Sequence, residues 1–300
     1  MDVVLPKPGS YVVAVSGGVD SMALLDLLRR QGHGDRDWKL VVAHLDHGIR
    51  SDSAEDRELV QSAARQHGLP FVYHEEKLGT GASEAAARAA RYRFLRKTLG
   101  ASGGQAIITA HHQDDVLETA IINILRGSGR KGLTSLSSQD DLLRPLLRVP
   151  KRDLVAYAKD QGLKWREDST NRDETYLRNY VRHRLLSRFK DADRAKFLRL
   201  INGLAETNRE LDTSLVNQLH VQPVSGTIDR QWFNHLPHAV AREMLAAWLR
   251  AHGTREFDSK TLERLVVAAK VAAAGKTFPV RAGLNLKVHS GHLALDRPER

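Results

Sequence analysis

No cysteine occurs anywhere in the chain, which excludes disulfides, zinc–thiolate sites, iron–sulfur clusters and cysteine nucleophiles. No apolar run approaches the roughly 20 residues that a membrane-spanning helix needs, and there is neither an internal repeat nor a low-complexity tail. Two familiar nucleotide signatures are also missing: the lysine of G-x-x-x-x-G-K-[ST] and the third glycine of a dinucleotide fingerprint. Acidic residues number 36 against 46 lysines and arginines, a formal charge of +10, with a pI near 9.9. That balance favours a polyanionic partner, although a merely well-solvated surface would carry it too. The first apolar strand starts at Tyr11 and leaves no room for a removable leader, so a cytoplasmic protein without a membrane segment is expected. What remains is an ordinary composition, 41% hydrophobic and 27% charged, over 300 residues, a comfortable length for two domains.

The organising stretch is YVVAVSGGVDSMALLDLL, residues 11–28. Residues 11–15 read as a strand buried on both faces, and apolar residues at helical spacing resume at Met22. The intervening Ser16-Gly17-Gly18-Val19-Asp20-Ser21 is then a tight strand-to-helix turn. Its glycines let the backbone approach a ligand, and its helix N-terminus and the Ser16 and Ser21 hydroxyls offer donors to an anion. A plain glycine turn capped by Asp20 or Ser21 is the bland alternative. Further strands are predicted at 39–45, 70–74 and 105–110. Helices follow each, with Ser51 or Ser53 and then Ser83 as caps and the fourth spanning 114–125. Four such alternations predict an α/β fold, a doubly wound parallel sheet, with ligands beyond the carboxyl ends of its strands.

From about Asp140 the alternation stops. Residues 142–149 contain Pro145, 151–161 are an amphipathic helix closed by Gly162, and 165–175 are loop-like. Residues 176–189 predict one strongly basic helix and 191–220 a further helix. After a linker at 222–226 come helices at 239–251 and 259–271 and short antiparallel strands within 277–295. The expected division is a core with a helical linker over 1–220 and a smaller α+β domain over 221–300.

Three polar clusters fall at the predicted strand ends: Ser16–Ser21 is joined by HLDHGIR (44–50) and HHQDDVLET (111–119). In the third, Asp114 and Asp115 stand four and three residues before Glu118, which puts carboxylates on one helix face. Beside a triphosphate such carboxylates can hold Mg²⁺ or grip a cationic substrate. Taken singly, Asp114 equally suits a helix cap and the histidines equally suit packed strand ends. Between Tyr176 and Lys190 lie Arg178, Arg182, Arg184, Arg188 and Lys190 without one acidic residue. Arg178 and Arg182 face together and repel, so RNA or ATP phosphate is a suitable counter-anion, with a solvated surface as the alternative. Arg126, Arg130, Lys131, Arg144, Arg148, Lys151 and Arg152 extend the basic track.

SGGVDS in this context resembles the pyrophosphate loop of the PP-loop ATP pyrophosphatases, with their adenine nucleotide alpha hydrolase-like fold. Together with HLDHGIR, AHHQDDVLET, RGSGRKGL, RPLL, WREDSTN and RNYVRHRLL, in that order over residues 12–189, the chain resembles the tRNA(Ile)-lysidine synthetase family. The resemblance implies a carbon–nitrogen ligase. The wobble cytidine of an isoleucine tRNA with a CAU anticodon would be adenylated by ATP, and free L-lysine would then displace AMP. It implies ATP and Mg²⁺ as cofactors, with Ser16, Gly17, Gly18, Asp20 and Ser21 on the ATP phosphates. Asp46, His47, Asp115 and Glu118 are the catalytic candidates. Arg50, His111, Asp114, Arg178 and Arg182 are the substrate-binding candidates, and Asp20 and Asp115 the metal ligands. A homodimer is an assembly compatible with such an enzyme. The rival readings are a two-metal phosphoesterase built on the histidines and aspartates, which leaves SGGVDS unused, and a non-catalytic RNA-binding module.

Overall fold

The computed structural model describes residues 1–32, 38–46, 48, 53–76, 79, 84–138, 141–167, 176–220, 226–254, 257–281 and 283–296. Five strands, Ser10–Ala14 (β1), Lys39–Asp46 (β2), Phe71–Glu75 (β3), Ala106–Ile108 (β4) and Leu142–Leu143 (β5), pair in parallel in the order β3-β2-β1-β4-β5. Between them run the helices Val19–Gly32 (α1), Ser53–Gln66 (α2), Glu84–Ser102 (α3) and Gln113–Leu125 (α4). The continuous apolar run of β1 follows from this layering. Val13 and Val15 pack with Leu24, Leu25 and Leu28 of α1 and Val60 of α2. Val12, one residue over, packs with Phe94 and Leu95 of α3. A strand covered on both faces has no polar side to show.

The strand order reverses between β1 and β4, so the chain leaves the sheet in opposite directions there and opens a crevice at the carboxyl ends. The SGGVDS turn leaves β1 and the HHQDD turn follows β4, on the two sides of that crevice. The parallel doubly wound α/β sheet predicted from the alternation is therefore present. It has one strand more than expected, because β5 is only two residues long and precedes Arg144 and Pro145. Proline cannot donate to a sheet ladder, so it stands just past the strand at the sheet edge rather than abolishing it.

Beyond the sheet come Arg130–Leu133 (α5), Lys151–Asp160 (α6), Leu177–Tyr180 (α7) and Asp191–His220 (α8). The basic segment expected as one helix is instead three pieces: α7, a π-helical turn at Val181–Leu185 and a 3₁₀ turn at Leu186–Arg188. The reason is packing. Val181 and Leu186, five residues apart, are both buried in one cluster with Leu117, Ala120 and Ile201. On a regular α-helix they would point about 140° apart; a wider π turn brings them onto one face. Of the expected caps, Ser51, Ser83 and the side chain of Ser53 lie outside the described residues.

The chain forms two compact units, Met1–Asn202 and Gly203–Arg300, with the boundary inside α8. The second unit contains Thr227–Asp229 (β6), Arg230–His235 (α9), His238–Ala251 (α10), Ser259–Val271 (α11), Thr277–Arg281 (β7), Leu284–Val288 (β8) and His292–Asp296 (β9). Its antiparallel sheet runs β6-β9-β8-β7, and Phe233, Leu245, Leu265, Leu286 and Val288 form its core. Arg230 donates to the carbonyls of Ala269 and Ala272 at the end of α11 and to that of His289, satisfying acceptors a helix terminus leaves open. Among the described residues no helix is long and apolar enough to cross a membrane.

In the first unit α1 and α6 are joined by a buried carboxylate. Asp26 accepts from Tyr157 Oη at 2.6 Å, Arg30 Nε at 2.7 Å and Arg29 Nη2 at 3.2 Å. Burial alone would raise this carboxyl, but the three donors outweigh it and hold it below the usual range. The same bond pushes the Tyr157 phenol up to about 12, burial contributing most. Tyr157→Phe should therefore lower the urea-unfolding free energy of this unit by about 1–2 kcal/mol near neutral pH. Asp26 contributes its share above its unfolded value of about 3.9 and Tyr157 its share below about 10. The variant and wild type should converge as the pH falls through the lowered Asp26 value.

Candidate active site

The loop after β1 is locked by its own side chains. Ser21 Oγ accepts from the Ser16 N–H at 3.1 Å and donates to the Gly18 carbonyl at 2.9 Å, and it lies 3.2 Å from Ser16 Oγ. Gly17 has φ of +91°, a conformation that a side chain resists. A Cβ there would also meet Asp56 at 3.5 Å, whereas one at Gly18 would meet only Ser16 Oγ. The backbone at Gly18 is thus open to an approaching ligand. A strap from outside fixes the turn: the Arg166 N–H donates to the Gly17 carbonyl at 3.0 Å. The Arg166 guanidinium reaches Glu55, and Asp56 at 2.8 Å, in the first turn of α2.

Across the crevice, His112 and Asp115 form the entry to α4. The His112 N–H donates to Asp115 Oδ2 at 2.9 Å, so His112, not Asp114, stands at the cap position. The buried His112 ring faces three carboxylates, with Nε2 at 3.5 Å from Asp115 and 3.6 Å from Asp20 and Nδ1 at 3.9 Å from Asp114. Burial pulls this imidazole down, yet the hydrogen bond with Asp20 and the charge of Asp115 more than compensate and raise it above its ordinary value. Asp20 and Asp115 are correspondingly held low in spite of their burial. Next to it His111 is pushed down to about 3 by burial and lies 2.9 Å from the Thr109 hydroxyl. Adjacent imidazoles are thus shifted in opposite directions, His112 up and His111 down.

Asp20 has a second cation. Lys151 Nζ, from the first residue of α6, lies 2.7 and 2.5 Å from its two oxygens. Deeper in the crevice Glu118 is fully buried and gripped at both oxygens by Arg182, Nε at 2.6 Å and Nη2 at 3.0 Å, with Arg178 Nε at 3.8 Å. Burial pushes Glu118 up and Arg182 pulls it back, leaving it above its usual value. Arg178 and Arg182, expected to meet a phosphate, therefore turn inward to this carboxylate. Asp114, expected to touch substrate, divides its oxygens between the Lys151 N–H at 2.9 Å and Arg194 Nη1. It does not share a partner with Glu118, because Asp114 at the helix entrance is met by α6 and α8. Asp46 ends β2, buried, accepting from the Gly48 N–H at 2.8 Å. His47 and Arg50 lie outside the described residues. Arg144, placed by sequence on the basic track, is buried and donates to the Ser137 carbonyl instead.

Arg166 and Arg194 had no role assigned from sequence, Lys151 stood only on the basic track, and His112 only in the rival two-metal reading. His112 sits within a recognised cluster, but its role depends on Asp20, 92 residues away; Lys151 meets Asp20 across 131 residues. No periodicity carries such pairings. Oxygens of Asp20 and Asp115 converge on one imidazole nitrogen, and two converging carboxylates are oxygen ligands of the kind that Mg²⁺ takes, its other positions being filled by water or ligand oxygens. Among the described residues no group of three or more side chains is arranged to hold a metal unaided.

A parallel 3-2-1-4-5 sheet with an SGGVDS turn at its switch point defines a PP-loop nucleotide-binding protein, and the PP-loop domain family matches residues 4–189. The chain is 31% identical to the tRNA(Ile)-lysidine synthase of Parasynechococcus marenigrum over 98% of its own length and 90% of that protein. It is 35% identical to that of Methylococcus capsulatus over 92% of its length and 65% of the relative, and 38% identical to that of a Thermotoga species over 62% and 46%. The chain therefore belongs to the tRNA(Ile)-lysidine synthase family of PP-loop proteins, although it spans less than two thirds of the latter two relatives. In fold it is similar to the U34-tRNA thiolase of Methanococcus maripaludis, with a TM-score of 0.53 at 16% identity over 68% of this chain and 74% of that one.

The split imidazole pair is directly measurable. NMR titration should show one ring, lost in His112→Gln, that titrates above 6.5, and one, lost in His111→Gln, that stays neutral down to strongly acid pH. Because the His112 value is raised on folding, its proton contributes stability that is complete below about 6.5 and lost as pH rises through the raised value. The urea midpoints of wild type and His112→Gln should differ most on the acid side of that window.

Proposed function

We propose that this chain joins free L-lysine to C2 of the wobble cytidine in a CAU-anticodon isoleucine tRNA, using ATP. The observation that carries this reading is the crevice at the β1–β4 switch point, where a phosphate loop faces a buried acidic pair, Asp115 and Glu118. A relative named tRNA(Ile)-lysidine synthase, of which the chain covers 90%, adds to it. The cytosine O2 attacks the α-phosphorus, the bond to the β-phosphate breaks and pyrophosphate leaves. The lysine side-chain amine then attacks C2, loses a proton to solvent, and the C2–oxygen bond breaks to release AMP. Ser16, Gly17, Gly18 and Ser21 cradle the phosphates. When bound by Asp20 and Asp115, Mg²⁺ would neutralise phosphate charge. No protein nucleophile is needed, only alignment and charge compensation.

Asp115 and Glu118 provide the negative charge that an amino acid with two ammonium groups requires, and Arg178 and Arg182 keep that charge in place in the lysine-free site. His111, neutral, can bond to substrate without adding charge, and Asp46 closes the rim on the β2 side. The tRNA is met on the opposite side of the basic segment. Tyr180 is two residues from Arg178, about 200° round the helix. It and Tyr176 are 45% and 41% exposed, and His183, Arg184, Arg188 and Lys190 are exposed further along. Aromatic faces interleaved with cations suit the bases and phosphates of an RNA loop.

The deciding assay supplies the tRNA transcript, ATP, Mg²⁺ and radiolabelled lysine. Label should enter the RNA with AMP released, and Asp20→Ala should abolish both. ATP cleavage without lysine entry would overturn the substrate assignment. Glu118→Gln should raise the KM for lysine at least tenfold with a smaller effect on that for ATP. Arg188→Ala should weaken tRNA binding and reduce the slope of log Kd against log salt by about 1, while lysine and ATP affinities hold.

A further inference from the structure

The SGGVDS turn places a carboxylate, Asp20, at the site expected to receive polyphosphate, and no residue of the turn is a cation. An aspartate alone would repel that ligand. The structure brings the missing charge from elsewhere: Lys151 Nζ touches both Asp20 oxygens, at 2.7 and 2.5 Å. Its backbone is held firmly. The Lys151 N–H donates to Asp114 at 2.9 Å, the Gln113 N–H donates to the Val149 carbonyl at 3.0 Å, and Gln113 Nε2 donates to the Arg148 carbonyl at 3.2 Å. The turn that sets Asp115 also sets the start of α6. Beyond Cα the residue is not confined. Its side chain is 41% exposed, and a lysine stem can swing its charge over several ångströms.

We infer that Lys151 is the phosphate-binding cation of this site, taking the pyrophosphate moiety of a nucleoside triphosphate in the position where other nucleotide loops use a lysine of their own. In the nucleotide-free protein it neutralises Asp20. When the polyphosphate enters, its oxygens replace the Asp20 carboxylate as partner of Nζ. The inference rests on the ATP chemistry proposed above but needs neither tRNA nor lysine, so it is tested by binding alone.

Calorimetry with ATP, inorganic pyrophosphate and AMP in the presence of Mg²⁺ distinguishes the outcomes. Lys151→Gln, which keeps the stem and removes the charge, should weaken ATP and pyrophosphate binding at least tenfold and AMP binding less than twofold. Lys151→Arg should recover ATP affinity to within about threefold. Equal loss for ATP, pyrophosphate and AMP would show that the ion pair merely shapes the turn, and unchanged affinity for all three would show no contact; either overturns the inference. Urea-unfolding curves of both variants that superimpose on that of wild type keep misfolding out of the comparison. Wild-type protein that binds no ATP would overturn the proposed reaction itself, a failure separate from that of Lys151.

Discussion

The carboxylate of Asp20 is the point at which three helices meet. It begins α1, faces the His112 imidazole at the entry to α4, and accepts from Lys151 at the entry to α6. Each group is of the sort that a protein interior rejects when alone. Asp20 without cations would be pushed toward protonation, and His112 without carboxylates would lose its proton. Together they favour one another's charged forms, and they tie the two sides of the crevice where the sheet divides.

The same logic extends inward. Glu118 is fully buried and is stabilised only because Arg182 grips both its oxygens and Arg178 stands close behind. A buried pair of this kind adds little net stability, since desolvation offsets most of the attraction, but removing one partner is costly. The site is therefore stored as compensated charges, each buried carboxylate held by a protein cation. Around it the supports are conventional: Tyr157 on Asp26 joins α6 to α1, and Arg166 holds the phosphate turn by a backbone bond and by α2.

Local rules decided a great deal. Apolar runs of five to eight residues alternating with amphipathic helices specified a parallel sheet, and the break at residues 16–21 marked its ligand end. They did so because strand burial and helix periodicity are properties of neighbouring residues. Where two non-neighbouring demands competed, the local pattern misled. The arginine-rich segment has good helical spacing, yet burying both Val181 and Leu186 in one core widened it into a π turn. Pro145 looked like the end of the sheet, yet two residues ahead of it were enough for an edge strand.

The sequence by itself determined the fold class, the glycine-rich turn after the first strand and the residue types the chain has to offer, since these follow from short-range pattern and from the absence of cysteine. Tertiary structure alone decided which charges meet: that Asp114 clips α6 and α8, that Arg178 and Arg182 turn inward to Glu118, and that Lys151 pairs with Asp20. Coulomb energies depend on distance in space and on burial, not on separation along the chain. A contact spanning 131 residues leaves no periodic trace for local rules to find.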